Sequence, residues 1–256
     1  MTYLKERLAA GEYLIGAGMY SNSPDVVEWA ARGMDWIWWD CQHTQGDWQD
    51  ILLGVRTAQT LGIPVLIRTW THDGGTIERL LDTGAEGIIV PMVNTVAQAQ
   101  AIVLHCSYPP IGNRSYGSTH VETIEASLDE WNKRIVTVLQ LETPEAVANA
   151  EAIASLPGVD ALHVGMRDLA LRMGKAVDDY SAHTAVGDAL EHVVQACRKH
   201  GKVAAVIVSS DDELVARMQG GYRLICAGFD TNIIEEGWRH MREVAQSLWS
   251  SGLLRD

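Results

Sequence analysis

The sequence predicts an α/β protein folded as a (β/α)8 barrel, and three observations lead to that fold. The chain has 256 residues, which is close to the usual length of one such barrel. Eight short apolar runs alternate with segments whose apolar residues recur at helical spacing. Most of the runs are apolar at successive positions, which is typical of parallel strands covered on both faces. No Gly-x-Gly-x-x-Gly motif opens a helix, which disfavours an open dinucleotide-binding sheet.

Strands and helices are predicted to alternate along the whole chain. The predicted strands are Tyr13–Ala17, Asp35–Asp40, Pro64–Arg68, Gly87–Pro91, Ile135–Leu141, Asp160–Gly165, Val203–Val208 and Arg223–Gly228. The predicted helices are Pro24–Arg32, Trp48–Leu61, Gly74–Thr83, Val96–Cys106, Pro144–Ser155, Ala185–His200, Asp211–Gln219 and Ile233–Ser250. No linker-like segment separates them, so we expect one domain over residues 1–256. Two connections are longer than a barrel requires, namely Ser107–Glu130 and Arg172–Thr184. We expect both to be functional loops, although the first would equally fit a contact between subunits.

Composition excludes several classes of partner. A formal net charge of −13 argues against binding to nucleic acid. No apolar run approaches the roughly 18 residues of a membrane span, and the first 18 residues lack a signal-peptide core. The four cysteines show no Cys-x-x-Cys spacing, so neither a disulfide framework nor a zinc site is indicated. We therefore expect a cytoplasmic protein that binds neither nucleic acid nor membranes.

Polar residues stand at the carboxyl ends of the predicted strands. In a (β/α)8 barrel these ends meet at the face that carries the chemistry, so we expect the residues to share one rim. They are Asp40 and His43 at the second strand, Arg68 at the third, Gln140 and Glu142 at the fifth, Gly165, Arg167 and Asp168 at the sixth, and Asp230 at the eighth.

Glu142 and Asp168 are predicted to lie on adjacent strands, with the amide of Gln140 beside the first. Two carboxylates completed by water suit a hard divalent cation such as Mg²⁺ or Mn²⁺ and leave open positions for a substrate. The alternative is that each carboxylate caps a helix, since Glu142 stands just before Pro144 and Asp168 follows the sixth strand.

Asp40, His43 and Arg68 are the remaining candidate catalytic residues. A carboxylate three residues from an imidazole is close enough to orient it as a general base, although a capping Asp40 and a packed His43 fit the same spacing. Arg68 ends an apolar strand and needs an anionic partner, either a protein carboxylate or a substrate oxyanion such as an enolate. Cys41 should face away from the rim, because neighbouring strand residues point to opposite faces. No lysine ends a predicted strand, which disfavours a Schiff-base mechanism.

These residues belong to segments that resemble the HpcH/HpaI family of class II, metal-dependent pyruvate aldolases. That family acts on 4-hydroxy-2-oxo acids such as 2,4-dihydroxyhept-2-ene-1,7-dioate and 2-keto-3-deoxy sugar acids. The matching segments run in the family's order over nearly the whole chain. They include Asp40-x-x-His43, Arg68, Tyr108-Pro109-Pro110-x-Gly112-x-Arg114, Gln140-x-Glu142-Thr143, Gly165-x-x-Asp168 and Ala227-Gly228-x-Asp230.

The resemblance implies a (β/α)8 barrel of the phosphoenolpyruvate/pyruvate type with a divalent ion (Mg²⁺, Mn²⁺ or Co²⁺) on Glu142 and Asp168. It also implies a homo-oligomer, usually a hexamer built as a trimer of dimers. The last helix, about residues 233–250, is often exchanged between subunits in the family.

For catalysis, the resemblance implies retro-aldol cleavage to pyruvate, or a close 2-oxo acid, and an aldehyde. Arg68 would neutralise the enolate oxygen, and His43, oriented by Asp40, would move the proton of the 4-hydroxyl group. The 2-oxo acid would be held by Gln140 and by the turn that contains Gly165, Arg167 and Asp168.

The chain departs from the commoner family pattern at two positions near these residues. Gln42 stands where Glu usually precedes the histidine, and Met166 stands where Pro follows the glycine. Two other functions therefore remain open. One is an oxaloacetate-type decarboxylase or macrophomate-synthase-like enzyme, which needs the enolate but not the base. The other is a barrel that binds a ligand without catalysis.

Overall fold

The chain forms a closed barrel of eight parallel strands in the computed structural model, which describes residues 3–117, 127–180 and 184–251. Each strand pairs with the next, and the last pairs with the first. The strands are β1 (Leu14–Met19), β2 (Trp36–Asp40), β3 (Val65–Arg68), β4 (Gly87–Val90), β5 (Val136–Leu141), β6 (Ala161–Val164), β7 (Val203–Ile207) and β8 (Tyr222–Phe229). The predicted fold class and all eight predicted strands are confirmed.

Twelve helices surround the barrel within the described ranges. They are α1 (Leu4–Ala9), α2 (Pro24–Ala30), α3 (Trp48–Thr60), α4 (Gly74–Leu81), α5 (Val96–Cys106), α6 (Leu128–Arg134), α7 (Pro144–Ala148), α8 (Ala150–Ala154), α9 (Met166–Arg172), α10 (Ala185–Lys199), α11 (Asp211–Gly220) and α12 (Asp230–Ser250). Of the two long connections predicted, residues 118–126 and 181–183 lie outside the described ranges.

The helices differ from the prediction in three respects. The short helices α1, α6 and α9 were not predicted. The predicted helix Pro144–Ser155 is divided at Asn149, which ends α7 and precedes α8. The last helix begins at Asp230 rather than at Ile233. No helix within the described part of the chain is both long enough and apolar enough to cross a membrane.

Strand side chains alternate between the inside of the barrel and the layer under the helices. Trp36 and Trp38 of β2 belong to the interior cluster, whereas Ile37 and Trp39 pack under the helices. Leu4 and Leu8 of α1 join the interior cluster together with the start of β1, because a spacing of four residues puts both on one face of a helix. Helix α1 therefore closes the amino-terminal end of the barrel, and the opposite end stays open.

Candidate active site

A cavity of about 760 Å³ lies at the carboxyl ends of the strands. Its wall includes seven of the eight residues predicted for the site, namely His43, Arg68, Gln140, Glu142, Gly165, Arg167 and Asp168. The eighth, Asp40, is completely buried at the end of β2 and bonded to Arg68. The topology thus brings together residues that are up to 128 positions apart in the sequence, from Asp40 to Asp168.

Glu142 directs a buried carboxylate toward this cavity, with only 3% of the residue exposed. One oxygen accepts the Met92 N–H at 2.8 Å, and the other accepts the side-chain amide of Gln140. No arginine, lysine or histidine of the described chain forms an ion pair with it. Burial raises the pKa of Glu142, against the lowering effect of these two hydrogen bonds. A buried carboxylate without a cationic partner is therefore the main electrostatic feature of the site.

The backbone on both sides of the Glu142 carboxylate is adapted to it: one side supplies an N–H donor, and the other has no side chain. Met92 has a φ of 58°, a left-handed conformation that is uncommon for a residue with a side chain, and its N–H is the one that contacts Glu142. On the other side is Gly165, where a Cβ atom would lie 2.5 Å from Oε1 of Glu142. A side chain at position 165 would therefore displace the carboxylate.

Asp168 supplies a second carboxylate, which is exposed in the first turn of α9. Its negative charge is favoured there by the helix dipole, and it raises the pKa of Glu142 as a neighbouring like charge. The alternative that Glu142 caps a helix is wrong, because Thr143 caps α7 and accepts the Ala146 N–H at 3.0 Å. Asp168 is not the N-cap of α9 either, since Gly165 holds that position.

Of the acidic groups that line the cavity, Glu142 and Asp168 are the pair that the sequence predicts as metal ligands. No cluster of three or more His, Cys, Asp or Glu residues suited to a metal occurs in the described ranges. The free side-chain oxygen of Gln140 is buried and has no hydrogen-bond donor. The two carboxylates are hard oxygen donors, which fit a divalent cation that takes its other ligands from water or substrate.

Asp40 and Arg68 form a buried ion pair at neighbouring positions of β2 and β3. Arg68 Nε donates to Asp40 Oδ1 at 2.9 Å, and Nη2 donates to Oδ2. Burial alone would lower the pKa of Arg68, but the hydrogen bond and charge of Asp40 reverse this and leave it raised. Arg68 is therefore a permanent cation, held in place by a protein carboxylate.

This ion pair corrects the expectation that Asp40 orients His43. His43 is exposed in the loop after β2, and no hydrogen bond joins it to Asp40 in the described structure. The reason is register, because Asp40 lies directly opposite Arg68 in the barrel, whereas His43 lies beyond the end of the strand. Cys41 packs under the helices as expected.

Several polar residues of the cavity were missed by the sequence analysis, and His163 is the most deeply buried of them. His163 of β6 lines the cavity but is only 1% exposed, and neither ring nitrogen has a hydrogen-bond partner. Its ring meets that of Trp38 edge to face, at 5.0 Å between centroids. Burial lowers the pKa of His163 to about 3. The alternation of strand side chains between the two faces could have revealed it, because His163 stands two positions before Gly165 and so faces the same side of the strand.

Asp230 has a structural role at the same rim. Its carboxylate accepts the backbone N–H groups of Tyr20 at 2.9 Å and Ser21 at 3.1 Å, as well as the Ser21 hydroxyl. Asp230 thus joins the loop after β1 to the start of α12.

Comparison with known proteins agrees with this architecture. Residues 17–236 match the family model described as HpcH/HpaI aldolase/citrate lyase. The chain belongs to this family. It is an enzyme of the aldolase type, a carbon–carbon lyase.

Two curated relatives cover most of the chain. A hydroxypyruvate/pyruvate aldolase of Pseudomonas aeruginosa is 34% identical over 94% of this chain and 90% of its own length. A 4-hydroxy-2-oxovalerate aldolase of Novosphingobium aromaticivorans is 34% identical over 91% of this chain and 90% of its own length. Among solved structures, an HpcH/HpaI aldolase from Desulfitobacterium hafniense DCB-2 superimposes with a TM-score of 0.90 at 27% identity, covering 96% of this chain and 97% of that one.

Proposed function

We propose that this aldolase uses a divalent metal ion to cleave a 4-hydroxy-2-oxo acid into pyruvate, or a close 2-oxo acid, and an aldehyde. The observation that carries the proposal is the buried carboxylate of Glu142, which has no cationic partner and lies beside Asp168 in one cavity with Arg68. The names of the two relatives, which refer to 4-hydroxy-2-oxovalerate and to hydroxypyruvate and pyruvate, support a 2-oxo acid of this class.

Glu142 and Asp168 would hold the ion, which we propose to be Mg²⁺, Mn²⁺ or Co²⁺. When bound, such an ion withdraws electrons from the 2-oxo group and so eases formation of the enolate. The protein prepares for the ion by keeping Glu142 desolvated and fixed by two hydrogen bonds. Because a buried carboxylate prefers the neutral form when it has no cation, this site gains most from a divalent partner.

Arg68 is placed to stabilise the oxygen on which negative charge develops. Asp40 accepts bonds from Nε and Nη2, which fixes the plane of the guanidinium, and Arg68 lines the cavity. A preorganised cation needs no reorganisation during the reaction, which is how such groups lower a barrier. Asp40 is therefore a positioning residue for Arg68.

The other predicted residues would bind the substrate and move its proton. Gln140 fixes Glu142 and presents its free amide oxygen, while Met166 and Arg167 begin α9 with N–H groups that have no helical partner. His43 stands in the exposed part of the cavity wall. It can therefore accept the proton of the 4-hydroxyl group of a substrate that enters from solvent.

Decarboxylation of an oxaloacetate-type substrate is the second candidate activity. It requires the same enolate but no base, and the exposed His43 without an orienting carboxylate favours it. Pyruvate release from oxaloacetate, with and without a chelator, measures the shared enolate step. Retro-aldol cleavage of 4-hydroxy-2-oxovalerate, compared in wild type and His43→Gln, measures the base.

The metal ligands can be tested by calorimetric titration with Mn²⁺. Glu142→Gln combined with Asp168→Asn should abolish binding, since no cluster of three or more metal-binding side chains in the described residues could replace this pair. Glu145→Gln is the matched control, because Glu145 is an exposed carboxylate three residues away that does not line the cavity. Unchanged Mn²⁺ affinity in the double variant would refute the ligand assignment.

We also propose that the protein is a homo-oligomer, and that α12 provides a contact between subunits. The helix carries exposed apolar side chains along its length, with Trp238 74% exposed. They are Ile233, Ile234, Trp238, Met241, Val244, Leu248 and Trp249. Such a face on a lone chain marks an interaction surface. The hexamer expected from the resemblance would be tested by light scattering, in which Trp238→Lys should lower the mass relative to wild type and to Arg239→Lys.

A further inference from the structure

The deep end of the active-site cavity contains the imidazole of His163, which the proposed mechanism does not use, beside the free amide oxygen of Gln140. His163 and Gln140 occupy partner positions on β6 and β5, and both line the cavity. Each is nearly fully buried, at 1% and 2% exposure. Nδ1 and Nε2 of His163 and Oε1 of Gln140 all lack a hydrogen-bond partner. Buried polar groups are usually paired, so this recess is suited to a ligand that can form hydrogen bonds.

The recess lies below the proposed metal ligands on the same strands. Gln140 precedes Glu142 by two positions and His163 precedes Gly165 by two, so each pair faces the barrel interior. On the other side, the ring of His163 contacts Trp38. The interior cluster and α1 fill the remainder of the barrel. A substrate group can therefore reach the recess only from the rim.

The recess presents a donor and acceptors together. Since burial lowers the pKa of His163 to about 3, its imidazole is neutral near pH 7 and offers one N–H and one lone pair. The amide nitrogen of Gln140 is already engaged with Glu142, so its oxygen offers an acceptor. A hydroxyl group complements this arrangement, because it accepts from the imidazole N–H and donates to the amide oxygen of Gln140.

The position of the recess indicates which reactant supplies the hydroxyl group. The aldehyde arrives from the open end of the barrel, where His43 stands exposed. In the proposed function the carboxylate and 2-oxo groups of the acid are held at the level of Glu142 and Asp168, which leaves its third carbon as the part that can face the recess. A methyl group there would leave all the polar atoms unpaired, whereas a hydroxymethyl group would pair one ring nitrogen of His163 and the amide oxygen of Gln140.

We propose that His163 binds the hydroxyl group of a 3-hydroxy-2-oxo acid and so selects such an acid over pyruvate as the nucleophilic substrate. This inference rests on the proposed function, because it assumes that the 2-oxo acid is held at Glu142 and Asp168. A site built to bond a hydroxyl group discriminates against the analogue that lacks it, since the buried partners are then left unpaired.

The test compares hydroxypyruvate with pyruvate as nucleophile, with glycolaldehyde as the aldehyde and Mg²⁺ present. The measured quantity is the ratio of the two kcat/KM values in wild type, His163→Phe and His163→Gln. The phenylalanine keeps a ring against Trp38 but has no polar atom, so the hydroxypyruvate-to-pyruvate ratio should fall about five- to tenfold. The glutamine keeps a donor and an acceptor and should restore part of the ratio.

Leu162→Val is the matched control on the same strand, because Leu162 packs under the helices rather than inside the barrel. Its ratio should equal that of wild type. Calorimetric titration of hydroxypyruvate into the Mg²⁺-loaded proteins gives a second readout, in which His163→Phe should weaken binding by a similar factor. If the phenylalanine variant does not fold, His163→Leu takes its place.

The outcomes separate the two proposals. Exchange of the methyl protons of pyruvate with solvent in wild type tests the proposed function without any hydroxyl group, and its absence with every metal would overturn that function. If exchange occurs and the ratio in His163→Phe equals that of wild type, the role of His163 is refuted, and ordered water is then the occupant of the recess.

Discussion

Replacing Asp40 with asparagine distinguishes a carboxylate that serves Arg68 from one that serves His43. The two partners of the ion pair are 0% and 5% exposed, and the substitution removes the carboxylate that forms the ion pair with the guanidinium. Removing one member of a buried pair typically costs about 3–5 kcal/mol, because the other charge stays buried without compensation. We expect Asp40→Asn to lower the free energy of unfolding by about that amount.

The assay is equilibrium unfolding in urea at neutral pH with a chelator present. Arg7→Gln provides the comparison, since Arg7 contacts Asp35 at 2.7 Å but both side chains are about one-third exposed. A pair of that kind is worth roughly 0–1 kcal/mol. In a double-mutant cycle, Asp40→Asn with Arg68→Gln should cost less than the sum of the single changes, because no charge is then left unpaired.

The same variants have a functional consequence. If Asp40 positions Arg68, Asp40→Asn should slow pyruvate release from oxaloacetate to a similar degree as Arg68→Lys, which cannot reproduce the two-point contact. His43→Gln should affect this reaction far less than it affects retro-aldol cleavage, since decarboxylation needs no base. The reasoning is refuted if Asp40→Asn costs less than about 1 kcal/mol and its activities follow those of His43→Gln.

Three further predictions follow from buried groups. The pKa of His163 in the folded protein is about 3, below its ordinary value of 6.5, so the folded state loses stability as the pH falls below 6.5. Between about pH 7.5 and about pH 5, the free energy of unfolding of metal-free wild type, measured in urea, should fall by about 2 kcal/mol more than that of His163→Phe. Gly165→Ala should stay folded by circular dichroism, but its Cβ would lie 2.5 Å from Glu142. Its affinity for Mn²⁺, measured by calorimetry, should therefore be at least tenfold lower than that of wild type, a loss of ~1.4 kcal/mol. Equal affinity would contradict the geometry. Burial raises the pKa of Cys106 and Cys197 to about 12, so neither thiol should react with a disulfide reagent at about pH 8 until urea unfolds the chain; rapid reaction of the native protein would show that they are exposed.

The barrel was predictable because each strand is buried on two faces. Runs such as Val203–Ile207 are apolar at every position, and a parallel sheet covered by helices requires this. The helices that escaped prediction are short. Helix α1 has 6 residues and α9 has 7, so neither shows two full turns of amphipathic pattern, and only the packed structure reveals what they cover.

The sequence predicted which residues line the candidate site better than it predicted which of their side chains bond to each other. Membership follows from topology, since residues at the carboxyl ends of parallel strands meet at one rim. Contacts depend on register and reach, which is why the sequence suggested Asp40 beside His43 while the barrel pairs it with Arg68. His163 was overlooked because a histidine within an apolar strand resembles a core residue until its unpaired nitrogens are seen.

The charge distribution of the cavity predicts that binding of the 2-oxo acid depends on the proposed cation. Arg68 forms an ion pair with Asp40 and only in part offsets the burial that raises the pKa of Glu142. The remaining charged residues of the wall are mostly acidic: Glu142, Asp168, Asp211, Glu213 and Glu236 against Arg167. A 2-oxo acid is itself an anion, and these like charges repel it. The proposed divalent ion converts this repulsion into attraction at the level of Glu142, so the affinity for the acid should depend on the metal even before any bond is broken.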